Sequence, residues 1–188
     1  MIKELRFMIL EVVRQANVAS DKLKSYSGNS YVTLFLIGFV FLISSCDSNR
    51  VYEDNVEFKD RTWKITTPAE LEFEVSDTTQ VYNLYLDVRN SLDYPYARLF
   101  VNYQLVDPNG TVLKKEMLTE NLFDVKTGEP NGRSGLGDVY DHQFDFLTNY
   151  SFEKTGKHKV RFEQFMRQDT LRGILAIGLR VDAENLKK

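Results

Sequence analysis

The sequence predicts an all-β protein, an antiparallel β-sandwich of jelly-roll or immunoglobulin-like type that follows an amino-terminal lipoprotein signal peptide. Three observations predict it. From Val56 onward almost every segment alternates apolar and polar residues with period two, as strands do when one face packs and the other is wet. Turn residues separate these segments at short intervals, and no ten-residue stretch carries a 3.6-residue period. Ahead of them an apolar run, Val32 to Leu42, leads through Ile43-Ser44-Ser45 into Cys46, the single cysteine.

The apolar run is shorter than the ~20 residues that a membrane-spanning helix requires, and small residues follow it directly, as in a signal peptide. Cleavage before Cys46 and acylation of its thiol and amino group would hold the protein by three chains, more than the two signals that stable anchoring usually takes. Residues 1–45 are therefore read as leader and signal peptide. Met1 to Tyr31 is long for such a leader, and translation from Leu23 would give a compact one. The leader holds five of the 24 basic and three of the 27 acidic residues, which leaves Cys46 to Lys188 with 19 and 24 and a net charge of −5. That balance argues against nucleic acid or anionic lipid as a general partner. With its one thiol acylated, the mature chain has no disulfide and no thiolate zinc site, so packing must supply its stability.

Residues 46–55 are polar and acidic and read as a tether, and residues 56–188 read as one sandwich domain. Leu71, Phe73 and Val75 alternate with Glu70, Glu72 and Glu74, and Tyr82, Leu84, Leu86 and Val88 with Asn83, Tyr85, Asp87 and Arg89. Leu99, Val101, Tyr103 and Leu105 run into Asp107-Pro108-Asn109-Gly110, where proline presets φ and Asn-Gly tolerates positive φ, closing a hairpin onto Thr111 to Leu118. Tyr140, His142, Phe144 and Phe146 follow, then Val160, Phe162, Gln164 and Met166, then Leu175, Ile177, Leu179 and Val181. The total is seven or eight short strands. A transmembrane barrel is excluded, because the outward faces carry Glu, Lys and Arg.

Asp138, Asp141, His142 and Asp145 lie within eight residues, as metal ligands do, but strand geometry sends Asp138 and His142 to one face and Asp141 and Asp145 to the other. The glutamates at 70, 72 and 74 are expected to meet Lys157, Lys159 or Arg161 rather than calcium. Gly128 to Gly137 holds one Gly-x-Gly without continuing into a phosphate motif, and reads as a mobile surface loop or as a partner-contact loop around Arg133. The only histidines are His142 and His158, and there is no nucleophile elbow or thiol nucleophile, so no catalytic residue, cofactor or small-molecule substrate is assigned. Trp63, Tyr94 and Tyr96 are the residues that a sugar-stacking platform would use, which makes a surface glycan-binding lipoprotein the alternative reading.

The stretch Glu163-Gln164-Phe165-Met166-Arg167-Gln168-Asp169-Thr170-Leu171-Arg172-Gly173-Ile174, with Ile177-Gly178-Leu179-Arg180, Asn90-Ser91-Leu92-Asp93-Tyr94-Pro95-Tyr96 and the Pro108-Asn109-Gly110 hairpin, resembles the gliding-motility lipoprotein H family of Bacteroidota. The resemblance covers essentially all of Cys46 to Lys188, and the long leader departs from the family pattern. It implies an outer-membrane lipoprotein required for gliding over surfaces, without catalytic residues, associated with the type IX secretion machinery and with other proteins of that apparatus. Asp47-Ser48-Asn49-Arg50 lacks a dense acidic surface-export signal, which favours an orientation towards the periplasm. Within the shared stretch Gln164 has inward parity, Arg167 and Asp169 are set in a connection where they are placed to pair or to meet a partner, and Gly173 and Gly178 allow close backbone approach. For this phylum, Asp77-Thr78-Thr79 and Asp169-Thr170-Leu171 are similar to O-glycosylation sites, with Thr78 preferred over Thr170 because it lies in a turn.

Overall fold

A computed structural model describes residues 49–185; Cys46, the signal peptide and the proposed start at Leu23 lie outside them. The chain runs through β1 (Arg50–Glu57), a 3-10 turn (Lys59–Arg61), β2 (Thr62–Lys64), β3 (Ala69–Val75), β4 (Gln80–Ser91) and β5 (Arg98–Val106). It continues through β6 (Val112–Asn121), β7 (Arg133–Ser134), β8 (Val139–Tyr150), β9 (Gly156–Gln164), β10 (Thr170–Arg172) and β11 (Ile174–Asn185). Two antiparallel sheets, in the orders β1-β11-β4-β8-β7 and β3-β9-β5-β6, enclose the core, and β10 and β2 form a separate ribbon.

Eight of these strands are long, and their pairing decides between the two expected sandwiches. The first long strand pairs with the last (β1 with β11) and the third with the sixth (β4 with β8), all in one sheet. The second pairs with the seventh (β3 with β9) and the fourth with the fifth (β5 with β6), all in the other. A chain paired in this nested order is one long hairpin rolled up on itself, which is a jelly roll.

Alternation becomes packing as expected in β3 and β9. Leu71, Phe73 and Val75 are buried against Val160 and Phe162, while Glu70 and Glu72 stay outside. The register sets Glu70 opposite Arg161, Glu72 opposite Lys159 and Glu74 opposite Lys157. Ion pairs follow at 3.1 Å for Arg161 with Glu70 and 3.4 Å for Lys159 with Glu72. All are exposed, so they contribute tenths of a kcal/mol and mainly fix register, whereas each buried Leu, Val or Phe beneath them contributes about 1.5–3 kcal/mol. The Asp107–Gly110 turn forms as its residues require: Asp107 N–H donates to Thr111 O at 2.9 Å and Gly110 takes φ +84°.

Three elements depart from the sequence reading. The strand β1 begins at Arg50, inside the stretch assigned to a tether. Its only apolar side chains on the packed parity are Tyr52 and Val56, separated by Asp54, too few to show as alternation; β11 supplies the backbone partners instead. In β8, Leu84 faces Leu147 while Tyr85 faces Asp145, so a bulge turns both Phe146 and Leu147 towards the core. In β11 the register shifts between Ile174 and Ala176, so Ile174 rather than Leu175 enters the core.

Candidate functional site

The strand directions divide the connections between two ends of the sandwich. β1 ascends from Arg50, opposite Asp182, to Glu57, opposite Ala176. The chain therefore enters at the end that holds the β3–β4, β5–β6 and β8–β9 turns, here the proximal end. Residues 58–68, 92–97, 122–138 and 165–173 all lie at the other, distal end. The twelve residues of β4 span the two ends, roughly 35 Å at the rise of a strand.

The sequence-predicted partner residues Arg133, Arg167 and Asp169 all fall at the distal end and are all exposed. They sit on separate connections, Arg133 in β7 and the other two between β9 and β10. Arg167 and Asp169 form no ion pair with each other among the described residues; Asp169 uses its backbone carbonyl to accept from Ile65 N–H at 2.9 Å. Gln164 does what its parity suggested: buried, it donates from Nε2 to Gln168 O at 2.7 Å and accepts from Met166 N–H at 2.9 Å, holding the root of that connection.

Backbone bonds clamp the distal connections to one another. Gly173 N–H donates to Arg61 O at 2.8 Å, Ser91 N–H to Gly173 O at 2.9 Å and Leu92 N–H to Asp138 O at 3.0 Å. The Arg61 guanidinium binds the Asp138 carboxylate at 2.7 Å and lowers its pKa. Asp141 turns outward onto Arg89 at 2.7 Å while His142 turns into the core, so the four residues of the paper metal cluster diverge.

One expectation is filled in here and another corrected. The glycine-rich segment lies at the surface and is tied to its neighbours along part of its length. Arg133–Ser134 pair with Asp141 and Tyr140, Asn131 N–H donates to Leu122 O at 3.0 Å, and a Cβ at Gly132 would stand 2.6 Å from His142 Nε2. Its backbone is thus a lid on a buried imidazole, and its deletion would uncover that ring. The aromatic platform is absent from the surface. Trp63 is wholly buried, stacked on Phe58 at 5.3 Å, and Tyr94 is buried against Phe123 with its hydroxyl donating to Arg98 O at 2.8 Å. Only Tyr96 of the three reaches solvent, its ring set edge to face against Tyr94 at 5.7 Å. Thr78 is exposed in a turn where Asp77 Oδ1 accepts from Thr79 N–H at 2.8 Å, and Thr170 is exposed in β10.

Sequence reasoning missed the apolar character of this end. Of the ten exposed large apolar side chains among the described residues, six belong to distal connections: Ile65, Leu92, Tyr96, Val125, Leu136 and Phe165. In the sequence they are isolated residues in turns, and only the common location of those turns makes them a set.

His142 carries a pH prediction. Burial pushes its pKa down to about 4, against a weaker opposing pull from Asp141. His158, packed between Phe73 and Phe152, is lowered by burial too. As pH falls below about 6.5 the unfolded chain takes up protons that the folded chain refuses, so stability drops until the folded pKa is reached. Denaturant unfolding at pH 7.5 and pH 5 is expected to differ by about 2 kcal/mol from His142, with the folded state weaker in acid. His142→Phe should remove most of that difference; an undiminished difference would place its origin elsewhere.

The structure defines an all-β protein of the jelly-roll class, entered at one end and with clamped connections that expose apolar side chains at the other. Residues 50–181 match the GldH lipoprotein family, and the chain belongs to that family of gliding-motility lipoproteins. It is 29% identical over 164 residues to a protein of Christiangramia forsetii named gliding motility lipoprotein GldH homolog, covering 82% of this chain and 96% of that one. It is 24% identical over 154 residues to gliding motility lipoprotein GldH of Flavobacterium johnsoniae, covering 77% and 91%. Among solved structures, the K1 cleaved adhesin domain of Lys-gingipain from Porphyromonas gingivalis is a loose likeness, with a TM-score of 0.33, 11% identity and coverage of 77% of this chain and 88% of that one.

Proposed function

We propose that this chain is a non-enzymatic accessory subunit of the gliding and type IX secretion apparatus, anchored in the outer membrane by acylated Cys46 and facing the periplasm. Its distal end receives another protein of that apparatus. The observation that carries this reading is the polarity of the domain. Asn49 stands at the proximal entry, and Cys46 precedes it by three residues in sequence, while Arg133, Arg167, Asp169 and the six exposed apolar side chains stand at the far end. Exposed aromatic side chains such as Tyr96 and Phe165, together with Arg, are residue types that protein interfaces favour. The family supports the process, and the position of the motif supports the place of contact.

The test is a deletion strain complemented with the wild-type gene, with Cys46→Ala, or with the double variant Arg133→Glu Arg167→Glu. Deletion is expected to abolish colony spreading and adhesin secretion, and wild type alone to restore both. The double variant, whose changes are on exposed side chains, is expected to keep the wild-type melting temperature and still fail to spread. Whole-cell protease should leave the chain intact. Normal spreading and secretion without the gene would remove the motility reading, and a chain shaved from intact cells would remove the periplasmic orientation.

A further inference from the structure

The two sides of the sandwich are closed differently. On one side β1 and β3 meet, with the Tyr52 and Phe73 rings 6.2 Å apart. On the other, β6 is the free edge of its sheet, in unbroken register with β5 from Lys114 to Asn121 and without proline or glycine; a register shift at Val106 sets Leu113 off the ladder, and Met117 is exposed along the regular part. Such an edge is a ready template for another strand.

Its hydrogen-bonding parity is fixed. Leu122 N–H donates to Ala97 O at 2.9 Å, and the ladder continues through Leu99 opposite Glu120, Val101 opposite Leu118 and Tyr103 opposite Glu116. Even-numbered residues of β6 therefore bond to β5, and Lys115, Met117 and Thr119 direct their backbone N–H and C=O towards the open edge.

We infer that β6 pairs antiparallel with β6 of a second copy of this chain, Lys115 opposite Lys115, joining two four-stranded sheets into one of eight. The sequence of the strand is self-complementary in this register. Lys114 falls opposite the partner's Glu116, twice by symmetry. Lys114 and Glu116 sit at a non-hydrogen-bonded pair, where cross-strand side chains approach most closely. Within one chain they meet only loosely, at 3.8 Å, and both are exposed, so both can turn to the partner. The two Lys115 ammonium groups lie on the solvent face and can diverge. The two-fold axis is normal to the sheets, so the proximal ends of the two copies point in opposite directions along the strands. This inference is independent of the motility reading.

Strand-edge contact buries little area, so the dimer is read by trapping rather than sizing. The full-length gene is expressed with Lys115→Cys, Met117→Cys or Thr119→Cys, and the lipoprotein is treated with a mild oxidant and run on a non-reducing gel. The unsubstituted protein is the control for Cys46. Residue 115 is expected to bridge, since paired Cα atoms lie about 5.5 Å apart. Residue 119 is displaced from its own copy by about 25 Å and should not bridge. In the Lys115→Cys background, Lys114→Glu or Glu116→Lys alone should lower the bridged fraction roughly fivefold, and the two together should restore it. No bridge at 115, equal or greater bridging at 117 or 119, or failure of the double swap to restore the dimer in protein of unchanged circular dichroism would overturn the inference.

Discussion

Replacing Gly173 by alanine is expected to lower the unfolding free energy by about 3 kcal/mol, read as a shift of the urea midpoint at constant slope. Two costs combine. Gly173 has φ +80°, where an L-residue loses about 1–2 kcal/mol against glycine. A Cβ there would stand 2.5 Å from Tyr94 N and 2.6 Å from Tyr94 Cα, backbone atoms that cannot rotate away, and such overpacking adds about 1–3 kcal/mol. The strain falls at the joint where Gly173 bonds to Arg61 O and Ser91 N–H, so the whole distal platform should loosen with it. Gly110→Ala separates the two costs. Gly110 has φ +84° but nothing within 4 Å of its Cβ position, so only the conformational cost of about 1 kcal/mol applies. Equal losses for the two variants would show that the Tyr94 contact is not what constrains Gly173.

Trp63→Ala is expected to cost about 3–5 kcal/mol, the largest loss from any single truncation in the distal core. The indole is fully buried, stacks on Phe58, donates from Nε1 to Thr67 O at 2.9 Å and lies opposite Leu171 in the β2–β10 ribbon. Its removal leaves a cavity beneath the connection that carries Arg167 and Asp169. Trp63→Phe keeps most of the ring and gives up the hydrogen bond, so its cost should be nearer 1 kcal/mol. Because Trp63 is the only tryptophan, native emission reports this one site. It should be blue-shifted, shielded from aqueous quenchers and indifferent to added glycans. Emission that is readily quenched in native protein would contradict the burial and return the ring to the surface.

The amino-acid sequence by itself determined the class of the fold and the turn of one hairpin. Alternation from Leu71 to Val75 and from Leu99 to Leu105 and the Asp107–Gly110 turn all depend on neighbours one to four residues away or on the chemistry of a single turn. Such signals are local, and a strand's two-residue period records them directly. The inward amide of Gln164 and the tight position of Gly173 were legible for the same reason. The tertiary structure decided what depends on residues distant in the chain. It paired β1 with β11 and so drew a polar tether into the sheet, bent β8 at Leu147 and chose the jelly roll over the immunoglobulin order. It also buried Trp63 and Tyr94, laid the glycine-rich segment over His142 and gathered Arg133, Arg167 and six scattered apolar residues at one end. The physical reason is that burial of an aromatic ring, or the company a turn residue keeps, is set by which connections share an end of the sandwich. That is fixed by the long-range order of strands, and no local period encodes it.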